Sequence, residues 1–240
     1  MDTCTDWQLS DGEINFLYWF IDGSIMIPDT RWRLRRAWGF CERHAWSVLA
    51  VEAAFRHGYL HGPAVLYADI MQRALAAFPS RGPLLPLRVV ASLRATGPCL
   101  ICELGVRETG RGSATEDRLK RGRDMSFLQD FARGTSRHWR QDVCGRCVGG
   151  ESSRRCRPHL LQDAAHGSLG SIAEHRALVE RITSHMVAFE RSFCWDFRDT
   201  ETDEDRAALI SAVGWCSGWR PIIALVKDDS LWIPTAKVEP

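Results

Sequence analysis

The amino-acid sequence predicts a mainly α protein. Three observations lead there: apolar residues recur every three or four positions over most of the chain, hydroxyl or carboxylate caps precede several of these runs, and strand signals are scarce. Ser10–Asp11–Gly12–Glu13 has the form of a capping box, in which a hydroxyl and a carboxylate satisfy orphan helix amides reciprocally. Ile14, Leu17, Tyr18 and Ile21 then mark one face of a helix ending near Asp22–Gly23. Pro28–Asp29–Thr30 opens a second helix that runs to Gly39, a natural C-terminal cap. A third begins around Cys41 and carries Val48, Val51, Ala54 and Phe55 toward Gly58. Pro63 suits the first turn of a fourth, with Leu66, Ile70, Ala74 and Phe78 at helical spacing. After the break at Ser80–Arg81–Gly82–Pro83, Leu87–Arg94 reads as a short helix before the Thr96–Gly97–Pro98 turn.

From Cys99 the pattern restarts, which divides the chain into two degenerate helical modules, 1–97 and 98–240. A Gly-rich stretch from Gly105 to Gly112 precedes one helix from Thr115 to Phe131. The clearest helix is Ser171–Asp196, where Ile172, Val179, Ile182, Met186, Phe189 and Phe193 define a buried stripe. The acidic run Thr202–Asp203–Glu204–Asp205 caps a short helix through Leu209, Ile210 and Val213. Within the tail, Ile222 to Val226 reads as a short strand or a docking arm.

Composition narrows the function classes. A chain of 240 residues with 45% hydrophobic content can bury one large core or two small ones. A net charge of +1 supplies no overall pull toward nucleic acid or an anionic membrane. The local excess of +5 over residues 103–157 lacks the interleaved aromatics of a nucleic-acid surface. The N-terminus shows no basic segment followed by an apolar one, and no apolar run approaches the ~18 residues of a membrane span. The expectation is a soluble, cytoplasmic protein. Nine cysteines are too few for a disulfide scaffold at this length, and the odd count also disfavours one.

Their spacing points instead to metal. Cys41/His44 and Cys156/His159 are CxxH pairs; Cys99/Cys102 and Cys144/Cys147 are CxxC pairs. Thiolate and imidazole are the natural ligands of zinc, and a two-residue gap lets one turn supply two corners of a tetrahedron. Cys144, Cys147, Cys156 and His159 make a local site, with a short loop between the pairs. His57 and His61, four apart, make a weaker pair because Gly58 interrupts the helix they would need.

The run Gly39–Phe40–Cys41–Glu42–Arg43–His44–Ala45–Trp46, the segment Gly62–Pro63–Ala64–Val65–Leu66–Tyr67–Ala68–Asp69 and the late Asp196–Phe197–Arg198–Asp199 carry a resemblance. They resemble an uncharacterised bacterial zinc-binding family that repeats a CPxC helix followed by a GxCxxH helix. The resemblance implies a helical fold and a bound metal. Its CxxC-then-CxxH order also implies that Cys99 and Cys102 join Cys156 and His159 in one closed zinc site, with Cys144/Cys147 as the alternative pair. The chain departs from the family at Cys4–Thr5–Asp6–Trp7, where a CxxC would stand.

That departure frames two readings of the first site. Cys4, Cys41 and His44 form a possible three-ligand zinc site with an open position, the arrangement of catalytic zinc. Alternatively the site is a relic, and Cys41 and His44 are core groups. In the enzyme reading Cys41, His44, Asp6 and Arg43 are candidate catalytic groups, and Arg35, Arg36, Trp7 and Trp46 would bind a small anionic metabolite. Group transfer, elimination or cyclisation would suit such a site. In the other reading the protein is a zinc-stapled scaffold with a protein partner, in a homo- or hetero-oligomer. Nucleic acid is the weakest class of partner.

Overall fold

The computed structural model describes residues 8–79, 85–107 and 114–227, and among these no strand occurs. The helices run α1 (Asp11–Ile21), α2 (Pro28–Ala37), α3 (Glu42–Phe55), α4 (His61–Ala76), α5 (Leu85–Leu93), α6 (Leu100–Glu103) and α7 (Glu116–Gly122). They continue with α8 (Ser126–Gly134), α9 (Ser136–Trp139), α10 (Gly145–Val148), α11 (Arg157–Ala165), α12 (Ile172–Arg191), α13 (Asp203–Ser217) and α14 (Arg220–Val226).

Two helices form the centre. Every residue of α3 from Arg43 to Ala54 is buried, as is every residue of α13 from Ala207 to Ser217. Both sequences are apolar around most of the helix, which is what a helix enclosed on all sides requires. The expected short helix after Thr202 is therefore a long central one. Its predicted capping is present: the Thr202 hydroxyl accepts from Asp205 N, and the Asp205 carboxylate accepts from Thr202 N.

Helix α12 packs along α4 and α13 and buries Val179, Ile182, Met186 and Phe189 of the expected stripe, while Ile172 and Phe193, the latter beyond the helix end, are half-buried. Phe189 is 4% exposed and meets Phe131 and Phe193 at ring separations of 6.3 and 5.1 Å. Phe189→Ala is expected to lower the unfolding free energy by about 3–5 kcal/mol, read from urea denaturation; a cost below ~1 kcal/mol would mean the site repacks freely.

Three elements differ from expectation. The helix expected over 115–131 breaks into α7 and α8, because Asp124 turns its carboxylate to accept from Ser126 N at 2.9 Å and competes with the helical ladder. The helix expected to reach Asp196 stops at Arg191, followed by a 3-10 turn at Trp195–Phe197. The Ile222–Val226 run is helix α14, opened by Pro221 in its first turn and packed on α3 and α8. A strand there would leave its ladder unpaired, whereas the helix satisfies its own backbone.

A single apolar core crosses residue 97. Trp38 meets Trp215 edge-on at 6.4 Å, the Trp46 indole donates to Gly218 O at 2.9 Å, and the Ser217 hydroxyl donates to Phe40 O at 2.9 Å. Among the described residues, no helix is long and apolar enough to cross a membrane.

Candidate metal centres

Each CxxH pair sits at a helix start. Cys41 is the N-cap of α3 and Cys156 the N-cap of α11, so His44 and His159 fall in the first turn, on the same side as the preceding thiol. Each CxxC pair is also built alike, with Cys99 and Cys144 capping the four-residue helices α6 and α10. A thiol at a helix N-terminus faces unpaired N–H groups and the positive end of the dipole, which favours its thiolate.

The structure assembles these four pairs into two clusters. Cys41, His44, Cys99 and Cys102 form the first, and Cys144, Cys147, Cys156 and His159 the second; within each, all donor atoms lie within 4.8 Å of one another. In the first, His44 Nδ1 lies 3.2, 3.5 and 3.4 Å from the sulfurs of Cys41, Cys99 and Cys102, and Cys41 Sγ is 3.7 Å from Cys102 Sγ. In the second, His159 Nδ1 lies 3.3, 3.3 and 3.2 Å from Cys144, Cys147 and Cys156, with Cys147 and Cys156 sulfurs 3.7 Å apart.

These separations discriminate between chemistries. A disulfide needs sulfurs about 2.05 Å apart, so neither cluster is one. A tetrahedral ZnS3N centre, with bonds of about 2.3 and 2.0 Å, has S···S edges of about 3.8 Å and S···N edges of about 3.5 Å. Both clusters approach those edges closely. Hydrogen bonds from Cys102 and Cys41 hold the Cys99 thiol well below its ordinary range, and those from Cys147 and Cys156 do the same for Cys144. The neighbouring thiols are pushed up in turn, Cys41 by Cys102 and Cys99 and Cys156 by Cys144 and Cys147, so a bound cation would displace their protons.

The pairing corrects the expected one. Cys99 and Cys102 lie beside Cys41 and His44 rather than beside Cys156 and His159. The reason is the docking of residues 94–97 onto the end of α2. The Trp38 indole donates to Arg94 O at 3.2 Å, Thr96 N donates to Arg36 O at 2.9 Å, and Arg36 Nη2 returns a bond to Thr96 O at 2.6 Å. That seam delivers Cys99 to the start of α3. The second cluster closes locally instead. Gly145 N donates to Arg154 O at 3.1 Å, and a Cβ on Gly145 would come within 2.2 Å of Ser152 O, so only glycine permits the tight return.

Of the expected three-ligand site, Cys41 and His44 join Cys99 and Cys102 in a four-residue cluster, while Cys4, Asp6 and Trp7 lie outside the described residues. The arginines expected around a substrate are engaged elsewhere. Arg35 pairs with Asp69 at 3.7 Å, Arg36 bonds Thr96 O, and Arg43 bonds Glu13 and Gln8 O. Trp46 is buried against Gly218. His57 and His61 part company: His57 meets Arg121 Nη2 at 3.0 Å, and His61 packs on Phe193.

Sequence reasoning missed Glu13 in this site. This capping-box carboxylate is fully buried and accepts from His44 Nε2 at 2.9 Å and from Arg43 Nε and Nη2 at 3.0 Å each. Burial alone would raise its pKa, but the bonds from His44, Arg43 and Ser10 N hold the carboxyl well below the usual carboxylate range. With the Nε2 proton committed to Glu13, Nδ1 is left as the ligand atom, the carboxylate–histidine arrangement that orients metal-binding imidazoles. The only sequence signal was the capping box itself, which announces a helix start and not a long-range partner. No protein-family model, curated protein or solved structure matches this chain.

Proposed function

We propose that the protein is a helical binding or scaffold module stapled by two zinc ions, each held by three thiolates and one imidazole. The observation that carries this reading is the pair of clusters whose donor separations approach the edges of a ZnS3N tetrahedron. A site with four protein ligands and no open position contributes folding energy rather than catalysis. Kinship with the bacterial zinc-binding family that the Gly39–Trp46 run resembles belongs to the same reading. The surface is consistent with a partner protein: Trp19, Met26 and Ile27 are 52%, 64% and 45% exposed within a short stretch of chain.

Elemental analysis of the purified full chain is expected to give two zinc ions per chain. Cys99→Ser and Cys156→Ser are each expected to reduce that to one. A metal-free protein whose cluster thiols all react freely with a thiol reagent would overturn the reading, and a coloured protein containing iron would replace zinc by iron ligation at the same residues.

A further inference from the structure

A cavity of about 240 Å³ opens between α1, the 3-10 turn Ser24–Met26, α3 and α4, away from both metal clusters. Its walls are largely apolar, from Ile21, Ile25, Met26 and Val65, and one buried carboxyl, Glu52, borders it. Glu52 is 2% exposed and lies near the end of α3, within the otherwise apolar stretch Val48–Phe55. Its Oε1 accepts from Gly62 N at 2.9 Å, while Oε2 is buried with no hydrogen-bond partner among the described residues. Gly62 makes this seat possible, since a Cβ there would come within 2.6 Å of Oε2.

Leaving a carboxylate buried without a counter-ion costs several kcal/mol, so an orphan of this kind is retained at a cost. The other charged or titratable groups around the cavity are Asp22, Arg56, Tyr59 and His61. Arg56 makes no salt bridge with Glu52, and its Nη2 donates to Ile21 O at 3.3 Å; its charge offsets only part of the upward push of burial on the Glu52 carboxyl. The His61 ring packs between Tyr59 and Phe193, at 6.2 and 5.0 Å. Met26 and Tyr59, 64% and 48% exposed, give the cavity apolar groups open to solvent.

We propose that this cavity binds a small primary amine with an apolar body, its ammonium group paired with Glu52. Two carboxylates outnumber the single arginine, which favours a cation over an anion. A compact ammonium offers three donors, one of which can satisfy Oε2, and the apolar walls take the carbon chain. Burial pushes the Glu52 carboxyl up to about 7, so near neutral pH it can exchange its proton for a bound cation at little cost. The inference goes beyond the zinc reading, because no metal ligand lines the cavity.

The test uses the full zinc-loaded chain, ¹⁵N-labelled, titrated with n-butylamine, n-butanol and butyrate into the tens of millimolar. Butylamine is expected to shift the Gly62 amide saturably and to bind at least about tenfold more tightly than butanol. Glu52→Gln, which keeps the shape and removes the charge, is expected to abolish that preference while leaving the spectrum otherwise folded. Val65→Phe, which fills the cavity, is expected to remove amine binding altogether. Equal binding of amine and alcohol, an amine preference surviving in Glu52→Gln, or no saturable shift would each overturn the proposal. Zinc measured on the same samples separates its failure from failure of the zinc reading.

Discussion

Cys99→Ser is expected to lower the unfolding free energy by several kcal/mol, and by about 1.5 kcal/mol more than Cys156→Ser. Both substitutions remove a ligand from a closed cluster, and a structural zinc contributes binding energy comparable to the whole ~5–15 kcal/mol stability of a domain. The difference between them comes from chain entropy. The first cluster joins His44 to Cys99 across 55 positions, whereas the second joins Cys147 to Cys156 across 9. Loop-closure entropy grows as (3/2)RT ln n, so the longer link restrains the unfolded chain by roughly 1.6 kcal/mol more. The exposed Cys194, which belongs to neither cluster, supplies the control: Cys194→Ser should stay within about 0.5 kcal/mol of wild type. Denaturant unfolding of the three variants, with zinc counted on each, decides the matter. Unchanged stability in both ligand variants would mean that the clusters are not staples, and a larger loss at Cys156 would refute the entropic ranking.

Local signals in the sequence translated well, and long-range ones did not. The capping boxes at Ser10 and Thr202 and the stripe on α12 depend on residues within a turn or two, so periodicity and cap chemistry expose them. The CxxC and CxxH pairs are local in the same sense, and their half-sites were legible. Which pairs meet depends on the seam between Arg36–Trp38 and Arg94–Thr96, where the Trp38 indole, the Arg36 guanidinium and Thr96 N all donate to backbone carbonyls, acceptors that carry no residue signature. For that reason the family-like order misassigned Cys99 and Cys102, while the short loop from Cys147 to Cys156 indicated the second cluster correctly. Glu52 could have been noticed as a lone acid among Val48–Phe55, yet nothing in the sequence placed Gly62 against it. The expected strand at Ile222–Val226 failed because Pro221, a helix-start signal, was outweighed by a run of β-branched residues.

Glu13→Gln tests whether the first cluster depends on the buried carboxylate behind it. Glutamine keeps the size of the side chain but removes the charge that faces both His44 and Arg43, the latter only 8% exposed. Breaking one partner of a buried ion pair costs about 3–5 kcal/mol, because the remaining charge is left without compensation. Loss of the capping role alone would cost only about 1 kcal/mol, the amount expected for Ser10→Ala, so the two variants separate the roles. Removing the histidine's carboxylate partner should also weaken zinc at the first cluster by about 10–100-fold and leave the second unchanged, read by competition with a chromogenic chelator. The sign of the pH dependence follows from the depressed carboxyl. Its contribution to stability is fully present above the ordinary value of 4.5 and is lost only as pH falls toward the folded value. The difference between wild type and Glu13→Gln should therefore be flat from about pH 6 to 8 and shrink on acidification. A variant with wild-type zinc retention and a loss no greater than that of Ser10→Ala would show that Glu13 only caps α1.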